Sequence, residues 1–459
     1  MAERTETPQE GGLVRVLGPL GTTSIVIGGI IGSGIFISPA IVAREIGSPT
    51  GALAVWVVAG LIAACGALCF AELSAAVPET GGQYVFLRRG YRSRPLAFLF
   101  GWAMFFASFT GAIAAVATAF AEYAGYYLEQ VIPYGPGEKR VVAIGLILFL
   151  TVINYLSVRL AGAVQNVATG LKLLALAGVI AVCLLLEAPA TSPVATVTSV
   201  PQSGSGLLAA FGTALIPALF AYNGWTYSAY VAGEVRNPER NLPLSILAGI
   251  AIVLVVYLML NVALLRVLPF EDLQTTTRPA ALAMERLLGP VGGGLTALAV
   301  MISTFGTANA VLLSCTRTYY AMSKDGLFFK ALERIHPRYR TPANAILVQG
   351  TLASLFALSG SFETILTYYA FVDFLFGALA VWAVVMLRKH EPDLRRPYRL
   401  WGYPLTPLVF AAFSAWYLIN TLIQRPLESA VGIVLTLSGI PFYLYWTRRA
   451  ASRRKDALS

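Results

Sequence analysis

An all-α polytopic membrane protein is the fold class predicted here, and three observations predict it. Of 459 residues, 57% are hydrophobic and only 12% charged, against roughly a quarter charged in soluble domains. Apolar runs such as 141–153, 247–265 and 431–446 recur along the chain, each near the ~20 residues with which a helix crosses a bilayer. The 42 Gly and 25 Pro fall among those runs, and a bilayer tolerates breaks only where the freed backbone groups are buried or line a cavity.

Hydropathy, interrupted at charge clusters, gives twelve spans: 20–46, 51–77, 95–130, 139–157, 160–187, 206–233, 242–268, 290–322, 342–360, 362–388, 403–423 and 427–447. An even count puts both ends of the chain on one side. The segments on that side carry 25 of the 33 Lys and Arg, the opposite side has 7, and Lys172 remains inside a span. The positive-inside rule therefore predicts cytoplasmic termini. The net charge of +10 is spread singly and in short clusters between apolar runs, so it reports topology and not nucleic-acid binding. Residues 188–205, rich in Pro, Ser and Thr, read as an outer surface loop. Residues 1–12 are polar and mildly acidic without a signal peptide's basic region, so the first span is expected to persist. Cys65, Cys69, Cys183 and Cys315 all lie in spans, without metal-site or disulfide spacing, and read as free thiols.

Span 1 contains Gly28-Gly29-Ile30-Ile31-Gly32-Ser33-Gly34-Ile35-Phe36. Each Gly costs a helix ~1 kcal/mol relative to Ala, so the cluster needs a reason. One is a small-residue packing face, since Gly28 and Gly32 have the spacing of closely approaching helices. The other is an unwound segment. Amides of Ser33, Gly34 and Ile35 then open a half-helix that receives a carboxylate, and carbonyls around Ile30 receive an ammonium. Span 6 carries a comparable interruption, Phe220-Ala221-Tyr222-Asn223-Gly224-Trp225. Paired interruptions at matching places in two halves mark the central site of an inverted-repeat transporter, and a zwitterion fits between them.

Lys172 lies in mid-span 5, where a charge costs ~2.5–3.5 kcal/mol on insertion scales. With Gln165 and Thr169 it makes one polar stripe; snorkelling to an interface is the alternative. Asp373 in span 10 is a carboxylate at depth, serving a proton relay or a hydrogen-bonded structural role. Tyr257 in span 7 is placed to close off water near the lysine. Asn309, with Gly306 and Thr307 in span 8, reads as helix–helix glue. Glu122 reads as a solvated residue at the outer end of span 3. Glu72, Glu79, Glu234 and Glu239 stand at arginine-rich boundaries and are expected to form salt bridges. His336 and His390 lie in basic loops, and the spans hold no metal-ligand cluster or nucleophile–base arrangement, so no enzymatic activity, metal or cofactor is expected.

The runs IIGSGIF (30–36), FAELSAAVPETGGQYVFLRRGY (70–91), LFAYNGWTYSAYVAGEVRNPERNLP (219–243) and LRKHEPDLRRPYRLWGYPLTP (387–407) resemble the amino acid–polyamine–organocation superfamily, and most closely its L-amino acid transporter branch, over residues 18–447. The resemblance implies a cytoplasmic tail (1–19), two inverted five-helix repeats (20–187 and 206–388) with helices one and six discontinuous, two further helices (403–447) and a basic tail (448–459). It implies amides of Ser33 and Gly34 on the substrate carboxylate and carbonyls of Ile30, Phe220 and Asn223 on the amino group. Gly32, Ile35, Ala221, Tyr222, Trp225 and Thr226 complete the substrate contacts, Trp225 by packing or gating. It also puts Lys172 where sodium-coupled relatives bind a cation, its ammonium reaching a carbonyl near Gly28 or Gly29 and a hydroxyl of Ser303 or Thr304. Tyr257 and Asp373 join that coupling and gating set.

The implied function is sodium-independent transport of neutral L-amino acids across a prokaryotic plasma (inner) membrane by alternating access, as exchanger or proton symporter. A binding sensor without transport, and a permease for a cationic amino acid or polyamine, are the alternatives. Two departures from the family pattern, Asn223 and Thr226, point to a different side-chain pocket. Residues 131–139 lack the cysteine through which animal members bond an accessory glycoprotein, so no heavy chain is expected.

Overall fold

The computed structural model describes residues 12–186, 204–360 and 362–456. Most of the expected outer loop at 188–205 and of the N-terminal tail lies outside them. Within the described residues the chain is helical apart from one isolated bridge between Leu17 and Val235.

Nine described helices are long and apolar enough to cross a membrane, and the two halves of span 1, bent by 41°, make a tenth. The shorter apolar helices Ala209–Ala221 and Ala343–Ser359 supply spans 6 and 9, completing the twelve in the expected order. Span 9 has 17 residues, a rise of ~26 Å at 1.5 Å per residue; it ends where Gly360 turns left-handed at φ +70°. Proline opens spans 1, 2, 3, 4, 7, 8 and 12 at a first-turn position, where its missing N–H costs no helical hydrogen bond. Ser48, Ser93 and Ser157 cap spans 2, 3 and 5, their hydroxyls accepting first-turn N–H groups.

Several features depart from the hydropathy reading. Span 3 loosens into a π turn at Met104–Ser108. Short helices Gln83–Gly90, Phe270–Thr275 and Pro279–Leu288 lie between spans, too brief to register as hydrophobic runs. The basic tail expected at 448–459 is continuous with the span: the helix Gly439–Asp456 carries straight through Arg448. Span 6 does not resume as a long helix after its break; only Tyr227–Tyr230 and a 3-10 turn at Ala232–Glu234 follow. The extended residue Val235 then pairs with Leu17, and Pro238 starts span 7.

Span 1 packs against spans 5, 7 and 8, and span 6 against spans 1 and 2, so both breaks fall in the middle of the bundle. The end of the bundle that carries Leu17 is tied together by main-chain bonds and ion pairs. Val16 and Leu17 N–H donate to the Glu234 carbonyl at 2.9 Å each, and Arg236 N–H donates to Leu17 O at 2.8 Å. Glu234 and Arg317 form a bidentate pair at 2.8 Å with both side chains 0% exposed. Arg388 grips Glu72 at 2.8 and 2.5 Å. Glu79 meets Arg88 and Arg89, and Glu239 meets Arg395 at 3.4 Å. All four boundary glutamates thus find arginines. Glu122 pairs with Lys139 at 2.7 Å on an exposed surface.

Candidate functional site

The first span stops being helical at Ile31. Its N–H still reaches Ile27 O at 2.8 Å, Gly32 N–H turns back to Ile30 O at 2.9 Å, and the helix restarts at Gly34. Ser33 N–H has no acceptor among the described residues, and the first-turn amides of Gly34 and Ile35 have none within their own helix. Gly32, Ser33 and Gly34 are half-buried, not sealed. This is a helix N-terminus with open donors, an anion-receiving arrangement.

Most of the carbonyls freed by the same break, those of Gly28, Ile30 and Ile31, are claimed. Lys172, 1% exposed, points its ammonium at Gly28 O (3.1 Å), Ile31 O (2.6 Å), Ser303 O (3.0 Å) and Thr307 Oγ1 (3.3 Å). Ser303 Oγ donates to Ile31 O at 2.9 Å, and Thr307 Oγ1 lies 2.9 Å from Gly28 O. Three N–H groups face four oxygens, so the charge is solvated by protein. Burial at this depth overturns the snorkelling alternative. Gln165 and Thr169 complete the stripe by donating to Ser24 O at 3.2 and 3.0 Å. Asn309 is the expected glue, its amide reaching Gln165 Oε1 at 2.8 Å and Ala161 O at 3.1 Å. The packing reading of the glycines holds as well: a Cβ on Gly28 would fall 1.9 Å from Gln165 Nε2.

Two expectations about this cluster, on Ser303 and Thr304, need correction. Ser303 offers the lysine its carbonyl, while its hydroxyl goes to span 1. Thr304 is not part of the cluster; its hydroxyl bonds back to Val300 O at 2.8 Å in its own helix. Thr307, one turn beyond Ser303, takes that place. Tyr257 reaches the carbonyl next in sequence to the one Lys172 holds at Ile31. Its hydroxyl lies 3.1 Å from Ile30 O and 3.0 Å from Ala221 O, bridging the two breaks with one proton.

The break in span 6 is built on sterics. Gly224 has φ +121°, and a Cβ there would fall 2.5 Å from the carbonyl carbon and oxygen of Gly29, so the two main chains touch where only glycine fits. Thr226 caps the short turn that follows, its carbonyl accepting Ala229 N–H at 3.0 Å. Phe220 O is already bonded by Asn223 N–H at 3.1 Å, and Ile30 O by both Gly32 N–H and Tyr257, so of the three carbonyls expected to meet an amino group only that of Asn223 has no donor among the described residues.

Side chains of the second break divide into two groups. Tyr222 is buried against Trp56 and Tyr257, and Trp225 is wedged between Phe70 and Phe410. Both pack in the core and offer no ring to the open side, as do Ile35 and Ala221. Phe220, by contrast, is 71% exposed, and Asn223 is also exposed. Asp373 is half-buried; its carboxylate accepts Ser108 Oγ–H at 3.1 Å, and the Asn223 side chain lies beside it. Ser108 is the residue sequence reasoning missed, and Thr307 was read only as helix–helix glue. Thr307 shares a helix face with Ser303 at four-residue spacing, a signal that was present; nothing in the sequence announced the π turn that carries Ser108.

A bundle with two interrupted helices, donors at one break and a fixed ammonium behind it, defines a carrier and not an enzyme. The chain belongs to the amino acid permeases of the amino acid–polyamine–organocation superfamily: the family model described as "Amino acid permease" matches residues 17–446. It is similar to the Serine/threonine exchanger SteT of Bacillus subtilis, 32% identical over 97% of this chain and 99% of that protein. It is likewise similar to the b(0,+)-type amino acid transporter 1 of Homo sapiens, 32% identical over 96% of this chain and 89% of the relative. The Large neutral amino acids transporter small subunit 2 of Oryctolagus cuniculus is 33% identical over 95% and 82%. The protein is a multi-pass membrane transporter of amino acids.

Proposed function

We propose that this permease carries neutral L-amino acids across a prokaryotic plasma membrane without sodium, by alternating access, as an exchanger or a proton symporter. The observation that carries the reading is the meeting of the two breaks. The half-helix opened by the amides of Ser33, Gly34 and Ile35 lies directly against the second break, a Cβ on Gly34 falling 3.3 Å from Ala221 Cα and 3.9 Å from Phe220 Cδ1. A substrate carboxylate docks on those amides, and its ammonium faces the Asn223 carbonyl. Lys172 supports the sodium-free reading: a protein ammonium already ligates the freed carbonyls, and a second cation there meets repulsion. The relatives' names, a serine/threonine exchanger and large neutral amino acid transporters among them, support exchange of neutral substrates.

With 25 of 33 basic residues on the side of the chain termini, the tied end faces the cytoplasm and the breaks open outward, with Phe220, 71% exposed, the ring at the entrance. Residues 20–187 and 206–388 act as the two repeats that rock against each other, and the subunit works without an accessory heavy chain. Reconstituted protein tests the reading. Radiolabelled uptake should persist when sodium is replaced by choline. A requirement for internal amino acid identifies exchange, and response to an imposed pH gradient identifies symport; a sodium requirement overturns the role given to Lys172.

A further inference from the structure

We propose that Asp373, Ser108 and Asn223 form the side-chain pocket of the substrate site, and that it selects amino acids whose side chains end in hydrogen-bond donors over apolar ones of equal size. The inference rests on the amino-acid carrier reading and deepens it.

The three residues come from three spans and converge beside the second break. Span 3 widens into its π turn at Met104–Ser108, and Thr110 Oγ1 donates to Phe105 O at 2.6 Å, five residues back, satisfying a carbonyl that the wider turn leaves available. π turns of this kind occur mostly at functional positions. Here the turn delivers Ser108 to Asp373 at 3.1 Å. Asn223, exposed at the break, brings its amide to the same carboxyl and holds the backbone carbonyl proposed for the substrate ammonium. One residue thus borders both the constant and the variable part of a bound amino acid.

Asp373 is underused by the chain. The remaining polar groups near it are the hydroxyls of Tyr227, Tyr230 and Tyr417, and among the described residues no Lys or Arg pairs with it. A carboxylate offers about four acceptor positions, of which Ser108 and Asn223 occupy at most two or three. A carboxyl group held at depth without a cation is costly, and its contact with Asn223, which is exposed at the break, sets it beside the proposed substrate position. A hydroxyl or amide of the substrate fills the vacant acceptor. An apolar side chain strands it, and sites built to bond a donor reject the analogue that lacks it more strongly than sites that merely sense size.

The test uses the full chain in proteoliposomes and near-isosteric competitors against one labelled amino acid: serine with alanine, and asparagine with leucine. The expected result is at least tenfold tighter competition by the donor-bearing member of each pair. Asp373→Leu should shrink that ratio below about threefold by weakening the donor-bearing member while the apolar one holds or improves. Asp373→Asn, which keeps volume and one acceptor, should give an intermediate ratio and serves alone if the leucine variant does not fold. Leucine equal to or better than asparagine in the unaltered protein overturns the inference, as does a variant that depresses both members alike. Transport without donor preference removes only this inference; absence of any amino acid binding removes the carrier reading with it.

Discussion

The two helix breaks face each other and yet are held in opposite ways. In span 1 the freed carbonyls of Gly28, Ile30 and Ile31 are tied by side chains from other spans: Lys172, Ser303, Thr307 and Tyr257. In span 6 the freed main chain receives the Tyr257 hydroxyl at Ala221 O, and a glycine is pressed against Gly29. The first break is therefore chemically anchored and the second sterically wedged. An anchored segment suits the part of a ligand that never changes, the α-carboxylate; a wedged segment with exposed Phe220 and Asn223 suits the part that does.

The largest effect expected from breaking this contrast is at Gly224. Gly224→Ala puts a methyl 2.5 Å from main-chain atoms that cannot move aside, and a loss on the order of 3 kcal/mol or more, or no recoverable folded protein, should appear in thermal denaturation. Gly28→Ala meets side chains and not main chain, those of Gln165 and Thr169, and should cost less; equal losses at the two positions would erase the distinction between wedge and anchor. Next comes Lys172→Met, which leaves the Gly28, Ile31 and Ser303 carbonyls without their ammonium. Buried acceptors left unmade cost ~1–3 kcal/mol each, and the surviving hydroxyls of Ser303 and Thr307 blunt this, so the melting temperature should fall clearly and uptake at least about tenfold. Thr304→Val is the matched control and should leave uptake unchanged.

Tyr257→Phe removes one hydroxyl that serves both breaks, and a net hydrogen bond is worth ~0.5–1.5 kcal/mol; KM should rise severalfold with little change in the folded yield. Phe220→Ala should leave stability within about 0.5 kcal/mol, as exposed substitutions do, while slowing uptake. A melting loss as large as that of Lys172→Met would place Phe220 in the packing and not at an entrance. The smallest effect lies away from both breaks. Arg89 holds the Glu391 carboxyl below the usual carboxylate range by hydrogen bonding at 2.9 and 2.7 Å. A carboxyl depressed on folding contributes stability above its unfolded pKa and loses it as pH falls through the folded value. Glu391→Gln should therefore flatten the acid limb of melting temperature against pH slightly, because the pair is partly exposed and screened by solvent.

The spans and both breaks were legible because hydropathy and glycine clustering act locally. The anchoring of span 1 was half legible. Lys172 and a carbonyl near Gly28 were expected correctly, but Thr304 stood in for Thr307, since an isolated mid-span lysine does not fix which face of a neighbouring helix it meets; adjacent positions point about 100° apart. The π turn at Met104–Ser108, the single turn after the second break and the short helices between spans arise from tertiary demands that no window of hydropathy contains. Tyr222 looked like a ligand because it borders the break, but successive residues in an irregular turn point different ways, and it turns into the core, as does Trp225, for which packing or gating was the reading.

At the tied end, the strands of Leu17 and Val235 are joined through main-chain atoms, with the Glu234 carbonyl shared by two N–H groups. Amides look the same whatever side chain they carry, so the bonds of this clasp themselves do not read the letters at 16 and 17 short of proline, while the Leu17 side chain is separately held in the core. The strength of the latch is thus in good part a property of the polymer itself.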